Sequence, residues 1–533
     1  MTCFVDSQYQ PLLDFGGPSS SLSPGFHREA CSVIWDHNTN MIGILPVSEP
    51  KLGDGSSRLE KVASLPPSFP EWLGDRSFQQ VHGTRFAYVG GAMARGIASA
   101  DLVIKLAKIG MMGFFGAAGL SLSVVEQEIT KIKDSLEPQG LPFGANLIHT
   151  PEHPQLETQV VELYLKHGVK KVSASAFMKM TPSIVYYALK GLRKNGDQVE
   201  RGNRVFAKVS RTEVARQFLS PAPQAIIDDL KRQGLITEEE AALGRMVPVA
   251  EDIIVESDSG GHTDNRPLGS LFPAIQKVRD HLIEQHQYQD RIRLGAAGGL
   301  GTPNAIAAAY SLGAAFVVIG SVHQSTVEAG ISDYAKQMLG KAQIADITMT
   351  PSADMFQMGV KVQVLKRGTM MAPRGAQLYK LYRDYDSIED IPSATRKQLE
   401  ATVFRMDLDD VWRQTEGYFE EIDPRQLAKA ETDPKYKMAL IFRWYLGKSS
   451  QWPIQGQADR QVDYQIWCGP AMGAFNDWVA GSFLEAIENR SVDQVALNLM
   501  EGAAAVFRSQ QLRSFGYDIA NRAFLPTPQV LGI

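Results

Sequence analysis

A glycine-rich turn, Gly298-Gly299-Leu300-Gly301-Thr302-Pro303, directly follows an apolar, strand-like run at residues 292–297. Thr302 is a favourable helix N-cap and Pro303 a favourable first helical residue, so we expect a helix over residues 305–312. A second strand-like run, at residues 316–319, ends in Gly320-Ser321. Such glycine turns offer free backbone N–H groups to an anion. Because (β/α)8 barrels commonly bind phosphate after strands seven and eight, the question is whether six strands precede this turn.

Six strand-like runs do precede it, at residues 86–93, 111–117, 143–148, 171–176, 205–210 and 253–257. Helical patterns lie between them, at residues 100–109, 122–136, 156–167, 182–192, 212–219 and 271–285. Strict alternation of strand and helix predicts a parallel sheet. Eight strands over roughly 260 residues favour a closed barrel, with an open doubly wound sheet as the alternative. We therefore predict an α/β protein built on a (β/α)8, or TIM, barrel.

The chain is expected to have three parts: a small N-terminal module at residues 1–80, the barrel at 81–340 and a mostly helical region at 341–533. Glycine, proline and serine frame the module at 16–21 and 65–70, and short strands are expected at 30–35 and 41–46. An insertion at 221–249, with helical patterns at 225–233 and 237–243, should cover one rim of the barrel. Further helical patterns lie at 394–406, 409–418, 436–446 and 477–489. We expect this last region to form a lid over the open face of the barrel; an independent helical domain is the alternative.

Composition narrows the class of protein. The 533 residues carry a net charge of −5 and 44% hydrophobic residues, which does not favour a nucleic-acid partner. Three cysteines, Cys3, Cys31 and Cys468, indicate a reducing compartment, and neither a signal peptide nor a membrane span is visible. We expect a cytoplasmic protein. Its ten histidines lack metal-ligand spacing, so no metal site is expected.

One histidine follows the sixth predicted strand, in Ser257-Asp258-Ser259-Gly260-Gly261-His262-Thr263-Asp264. Barrel active sites lie at the C-terminal ends of the strands, and the two glycines allow the backbone to approach a flat ligand. His262 can exchange a proton near neutral pH, which makes it the candidate catalytic residue; the alternative is a histidine that only bonds the loop backbone. Asp258 or Asp264 either orients the imidazole or caps the loop.

Polar and small residues at other strand ends predict a flat, anionic ligand. Asn146 and Lys208 interrupt the third and fifth strands, and a lysine pointing into a barrel needs an anionic partner, such as a reduced flavin; the alternative is a lysine that faces outward. Strand one ends in small residues against which a planar ring can lie; the alternative is that they only allow tight packing of the strand against a helix. Together with the phosphate site, these features suggest FMN. The predicted cofactor-binding residues are Gly91, Ala92, Met93, Asn146, Lys208, Gly261, Gly298, Gly299, Gly301, Thr302, Gly320 and Ser321.

Three segments, at residues 259–267, 351–365 and 463–478, resemble the FMN-dependent nitronate monooxygenase superfamily. They are most similar to its PfaD family, the trans-acting enoyl reductases of polyunsaturated fatty acid and polyketide synthases. The resemblance implies an enzyme that uses FMN and NADPH, or NADH, to reduce an enoyl thioester on an acyl carrier protein. It implies for His262 the role of general acid or of donor to the thioester carbonyl, and a homodimer is expected. The alternatives are a nitronate monooxygenase, with His262 as base, and a docking scaffold without flavin.

Residues 359–383 carry six basic residues and no acidic one, in an otherwise slightly acidic chain. This segment belongs to the expected lid, and acyl carrier proteins are acidic. A basic rim would steer such a partner to the barrel mouth. The alternatives are an ordinary solvated face or a site for the NADPH phosphates. The basic residues are Lys361, Lys366, Arg367, Arg374, Lys380 and Arg383.

Overall fold

The structure is a computed structural model that describes residues 26–38, 41–46, 59–151, 153–196, 198–514 and 521–532. The serine-rich stretch at 16–21 and Cys3 lie outside the described residues. The described strands are β1 Cys31–Asp36, β2 Met41–Pro46, β3 Leu59–Leu65, β4 Tyr88–Gly90, β5 Met112–Phe115, β6 Gly144–Ile148, β7 Lys171–Ser175, β8 Arg193–Asn195, β9 Gln198–Glu200, β10 Arg204–Val209, β11 Asp252–Glu256, β12 Gly261–His262, β13 Arg293–Ala297, β14 Phe316–Ile319, β15 Ile347–Pro351 and β16 Lys361–Leu365. The described α-helices are α1 Arg76–His82, α2 Ala100–Lys108, α3 Leu122–Leu136, α4 Pro154–Lys166, α5 Pro182–Leu189, α6 Thr212–Phe218, α7 Gln224–Arg232, α8 Glu238–Gly244, α9 Leu268–His286, α10 Pro303–Ser311, α11 Asp333–Gly340, α12 Met371–Asp384, α13 Ser393–Leu399, α14 Leu408–Ile422, α15 Pro424–Thr432, α16 Pro434–Gln455, α17 Ala471–Val479 and α18 Val492–Ser514.

Eight of the described strands are parallel and form a closed barrel, in the order β4-β5-β6-β7-β10-β11-β13-β14. The pairing of β14 with β4, which places Val317 opposite Tyr88, closes the ring. This confirms the predicted (β/α)8 barrel and excludes the open sheet. All eight predicted strands are present. The first is shorter than predicted because Ala92 and Met93 leave the hydrogen-bonded ladder and line the cavity described below.

The helices that surround the barrel, α2 to α6, α9 and α10, match the predicted helical patterns. Four of them begin at a capping side chain that accepts a hydrogen bond from the backbone N–H three residues later. These caps are Ser99, Ser121, Thr181 and Thr302. A cap satisfies one of the free N–H groups of the first turn and so fixes where the chain turns from strand to helix.

Aromatic side chains fill the barrel from its N-terminal end. Phe78 of α1 stacks on Phe316 with ring centroids 4.6 Å apart, and Phe206 meets Phe114 edge-on at 5.0 Å. Gly295 makes room for this packing, because a Cβ there would collide with the Phe316 ring. The lower half of the barrel is thus a packed core, and a ligand cavity lies at the C-terminal ends of the strands.

The N-terminal module is a three-stranded antiparallel sheet in the order β2-β1-β3. The strands predicted at 30–35 and 41–46 are β1 and β2. Strand β3 was missed because Glu60 and Lys61 are charged and exposed and its residues do not alternate between apolar and polar. His27, just before this sheet, bonds Glu501 of α18 through Nε2 at 2.8 Å. The sheet is therefore attached to the C-terminal region.

The insertion forms the predicted helical hairpin, α7 and α8. Glu240 of α8 accepts a hydrogen bond of 2.6 Å from the N–H of Gly191, which precedes the β8–β9 ribbon that leads into β10. The hairpin therefore lies on the N-terminal rim of the barrel, away from the strand ends where ligands bind.

The C-terminal region folds onto the barrel mouth. Its strands β15 and β16 join β12 of the barrel loop in one sheet, with His262 opposite Val362. The C-terminal region therefore covers the barrel mouth as a lid, while its division from the barrel at residue 341 stays a prediction. The helix predicted at 477–489 is wrong: α17 ends at Val479, before Gly481 with φ +76°. The long helix α18 was missed because it is buried on most of its surface and lacks an amphipathic pattern.

Candidate active site

A cavity of about 680 Å³ lies at the C-terminal ends of the barrel strands, beneath the β12–β16–β15 sheet. His262 lines it, together with most of the predicted cofactor-binding residues. Those in its lining are Gly91, Ala92, Met93, Asn146, Lys208, Gly261, Gly298, Gly299, Gly320 and Ser321. The lid contributes further lining residues, among them Asp354, Lys361, Leu446, Gln465 and Trp467.

The two glycine turns leave an open cradle. Gly298 and Gly299 adopt φ values of +86° and +70°, which L side chains rarely take. A Cβ added at Gly299 or Gly320 would meet no atom within 4 Å, so both backbones face open space. Within the described residues, no acceptor meets the N–H of Gly299. Free N–H groups in an uncrowded cradle fit the phosphate of the expected FMN.

Gly301 and Thr302 do not line the cavity. The N–H of Gly301 donates to the carbonyl of Gly299 at 3.1 Å, and a Cβ at Gly301 would collide with the carbonyl oxygen of Ala471. Thr302 Oγ1 accepts from the N–H of Ala305 at 3.3 Å as the cap of α10. These two residues support the turn and its packing against α17, and their direct contact with a cofactor stays a prediction.

Backbone and small or apolar side chains form the floor of the cavity, a surface against which a planar ring could lie. The N–H of Gly91 donates to the carbonyl of Ile319 at 2.8 Å, which ties the end of strand one to strand eight. A Cβ at Gly91 would lie 3.1 Å from Val318 Cγ1, so the backbone there is closely packed. The half-buried Ala92 and Met93 continue this surface.

Lys208 points into the cavity, which excludes the outward-facing alternative. Its Nζ donates to Glu256 Oε1 at 2.9 Å, so the protein itself supplies an anionic partner. Glu256 was missed, although a charged residue directly after the apolar run Ile253-Ile254-Val255 was a visible signal. Asn146 is buried, and its Nδ2 donates to Ser175 Oγ at 2.9 Å and to the carbonyl of Ser173 at 3.0 Å.

A residue of the lid, Asp354, contacts the imidazole of His262. Its Nε2 lies 3.2 Å from Oδ1 of Asp354, and both side chains are about half exposed. Burial is the largest influence and acts to raise the pKa of Asp354, but the hydrogen bond and charge attraction of His262, together with hydrogen bonds from the backbone and Ser352, place the pKa below its usual value. Asp354 was not singled out from the sequence, although it lies inside the 351–365 segment that carried the family resemblance.

Asp258 and Asp264 do not orient the imidazole, and that expectation is corrected. Asp264 accepts two hydrogen bonds of 2.9 Å from Arg211 and one from Ser210. The Arg211 hydrogen bonds are the main cause that lowers the pKa of Asp264 to about 2. Asp258 accepts from Asn265 and Gln363. Both carboxylates hold the loop, which was the alternative left open.

Only some of the basic residues at 359–383 are without an ion-pair partner among the described residues. Arg374 is largely buried against Asp463, so it is corrected from the rim to the interior. Arg367 is bound to Asp346, and Lys380 to Asp384. Among the described residues, Lys361, Lys366 and Arg383 have no carboxylate within ion-pair distance; we call these three the basic rim.

Two further properties concern the described part of the chain. None of its helices combines the length and the apolar character that crossing a bilayer requires. Within the same residues, no three His, Cys, Asp or Glu side chains are grouped so as to hold a metal ion.

Comparison with known proteins defines the class. Residues 77–378 match the nitronate monooxygenase family, and residues 385–464 match the inserted helical domain of acyl-carrier-protein S-malonyltransferase. The first match covers more than half of the chain, and the chain belongs to the nitronate monooxygenase family.

Within this family, the relatives of higher identity are named for polyketide biosynthesis or polyunsaturated fatty acid synthesis. The chain is 45% identical over 442 residues to polyketide biosynthesis protein PksE of Bacillus subtilis, covering 83% of this chain and 57% of PksE. It is 47% identical over 450 residues to one of the polyunsaturated fatty acid synthase proteins of Thraustochytrium sp., covering 83% of this chain and 30% of that protein. The crystal structure of the enoyl reductase domain of MlnA, from the macrolactin biosynthesis cluster of Bacillus amyloliquefaciens, has a TM-score of 0.80 and 41% identity, covering 83% of this chain and 99% of that one.

These matches confirm the family resemblance that the sequence carried. The chain spans about half or less of the length of the two curated relatives. The activity, substrates and partners of those longer proteins are therefore proposals for this chain.

Proposed function

We propose that the protein is an FMN-dependent enoyl reductase that reduces the 2,3 double bond of an enoyl thioester carried on an acyl carrier protein. The single observation that carries the proposal is the cavity: a glycine cradle, a floor of backbone and small side chains, and a histidine bound by the lid line one space. The 41% identity to an enoyl reductase domain supports it. NADPH, or NADH, is the proposed hydride donor, and a cytoplasmic homodimer is the proposed state.

Backbone groups, rather than charged side chains, would bind the cofactor. Gly299 and Gly320 would give N–H groups to the phosphate, and Gly91, Ala92 and Met93 would lie against the ring. Bound FMN supplies hydride-transfer chemistry, while the protein positions and orients the reactants. Lys208 would contribute a hydrogen bond while Glu256 balances its charge.

His262 is the proposed proton donor. Reduction of a 2,3 double bond adds hydride at the β-carbon and a proton at the α-carbon. His262 lines the cavity, where it would supply that proton or donate a hydrogen bond to the thioester oxygen while the proton is added. Asp354 engages Nε2, so the other ring nitrogen is left for exchange with substrate. Proton donation requires the imidazolium form of His262, in which Nε2–H donates to Asp354 and Nδ1–H carries the proton for the substrate, while the carboxylate fixes the orientation of the ring.

The carrier protein would approach along the lid. The basic rim lies on the lid sheet and on α12, and Lys361 also lines the cavity. Similarity of residues 385–464 to a helical domain of an acyl-carrier-protein transferase supports a carrier partner. A rim of unpaired positive charge would raise the association rate with an acidic partner.

A nitronate monooxygenase is the second candidate, favoured by the family match over residues 77–378. In that reaction His262 would remove the proton α to the nitro group. A docking scaffold without flavin is the third, and it predicts a colourless purified protein.

Two parallel assays separate these functions. NADPH consumption is measured with a short enoyl thioester and with the same acyl group on a carrier protein, and oxygen consumption is measured with a nitroalkane. We expect enoyl-dependent NADPH consumption with the saturated thioester as product. Oxygen consumption with the nitroalkane, and no enoyl reduction, would establish the second candidate instead.

A further inference from the structure

Arg95 has an unusual backbone at the mouth of the cavity. Its φ of +58° lies in the left-handed region, which is unfavourable for a non-glycine residue. The surrounding loop holds this conformation: the N–H of Arg95 donates to the carbonyl of Ala118 at 2.7 Å, and that of Gly96 to the carbonyl of Gly116 at 2.9 Å. Strain that is held by its surroundings is typical of functional positions.

The Arg95 guanidinium also lacks an anionic partner. Two other cations of the cavity lining are neutralised, Lys208 by Glu256 and Arg211 by Asp264. Among the described residues, no carboxylate acts on Arg95, and burial lowers its pKa. A partly buried cation without a counter-ion is unfavourable unless a ligand supplies one.

The side chain has a defined position between barrel and lid. Gly119 makes room for its stem, because a Cβ at Gly119 would lie 3.3 Å from Arg95 Cγ. Tyr418 of α14 in the lid is near enough to act on the Arg95 charge. The guanidinium is thus placed where a long ligand would pass between the two parts on its way to the cavity floor.

We propose that Arg95 binds a phosphate ester of the reactant that enters this cavity. The inference rests on the proposed function, in which both diffusible reactants carry such a group: the phosphodiester of the phosphopantetheine arm and the 2′-phosphate of NADPH. The planar guanidinium fork matches phosphate oxygens in a bidentate way. The glycine cradle serves the cofactor phosphate, so the two sites are distinct.

Direct binding to flavin-loaded protein tests this and identifies the source. Titration calorimetry compares two probe pairs that differ by one phosphate: 4′-phosphopantetheine with pantetheine, and 2′,5′-ADP with 5′-AMP. The variant Arg95→Asn removes the guanidinium, and asparagine tolerates the left-handed backbone. Arg193→Gln is the control, because it removes the same charge from an exposed strand at the other end of the barrel.

We expect the wild type to prefer the phosphorylated member of one pair by about 10- to 100-fold, the scale of a charge-assisted hydrogen-bond pair. Arg95→Asn should abolish that preference, Arg95→Lys should retain part of it, and Arg193→Gln should keep it whole. The probe pair that shows the preference identifies the reactant whose phosphate Arg95 binds.

Equal preferences in the wild type and in Arg95→Asn would overturn the proposal. So would loss of flavin from Arg95→Asn, since Arg95 would then hold the cofactor. The probes are not turned over, so this result is independent of catalysis. A wild type that shows the preference but reduces no enoyl thioester would refute the proposed function alone.

Discussion

The imidazole of His262 and the carboxylate of Asp354 are 3.2 Å apart, although 92 residues separate them in the chain. His262 belongs to the loop after β11, and Asp354 to the lid between β15 and β16. The lid therefore completes the site as well as covering it. Asp354, a residue of the lid, orients His262, the cavity-lining histidine for which we propose a role in proton transfer.

We expect His262→Ala to slow the enoyl half-reaction by about 10²- to 10⁴-fold, the usual contribution of one general acid. Flavin reduction by NADPH should be retained, because it needs no proton from His262. Rapid-mixing kinetics of the two half-reactions separate the effects. An unchanged enoyl half-reaction would remove His262 from the mechanism.

Asp354→Asn should lower the same half-reaction by a smaller factor, because the ring keeps its chemistry and loses its orientation. The control is Asp386→Asn, which changes the same charge at an exposed lid residue paired with Lys435. If both variants behave alike, the Asp354–His262 contact has no role in the reaction.

Gly299→Asp should give folded but colourless protein, because a side chain and a like charge would occupy the phosphate cradle. Gly168→Asp is the matched control: it has a similar φ of +66° and equally open space, but it lies between α4 and β7 at the far end of the barrel. Flavin content and circular dichroism are the measurements. Full flavin in Gly299→Asp would show that the phosphate lies elsewhere.

Gly301→Ala should destabilise the protein by about 1–3 kcal/mol, the range for overpacking, because its Cβ would collide with the Ala471 backbone. Gly320→Ala meets open space and should leave the free energy of unfolding nearly unchanged. Urea unfolding of the two variants is the test. Equal stabilities would contradict the close contact between the glycine turn and α17.

The Asp264–Arg211 pair should make stability depend on pH. The pKa of Asp264 is about 2 in the folded protein, below an unfolded value near 3.9. The contribution of this ion pair to the free energy of unfolding is therefore complete above about pH 4 and is lost as the pH falls towards 2. We expect Asp264→Asn to lower the free energy of unfolding by about 1 kcal/mol at neutral pH, the scale for a partly exposed ion pair. At low pH the variant and the wild type should be equally stable. A difference that persists under acid conditions would argue against this pair.

How far the sequence predicts this structure differs between barrel and lid. The barrel strands could be predicted because parallel strands are buried on both faces and appear in the sequence as apolar runs. Thr302-Pro303 marks the start of a helix by local chemistry alone. The Asp354–His262 contact could not be predicted, because it depends on how β16 pairs with β12 across the chain. Arg374 shows the same limit: it reads as a surface cation but is buried against Asp463.

The reduced enzyme under anaerobic conditions gives the most direct test of the proposed function. Flavin bleached by NADPH is mixed with an enoyl thioester on a carrier protein, and the return of oxidised flavin absorbance is followed while the product is identified by mass. We predict rapid return of the absorbance with one saturated thioester per flavin. Flavin that stays bleached with the enoyl thioester, and recovers only when oxygen is admitted, would contradict the reductase.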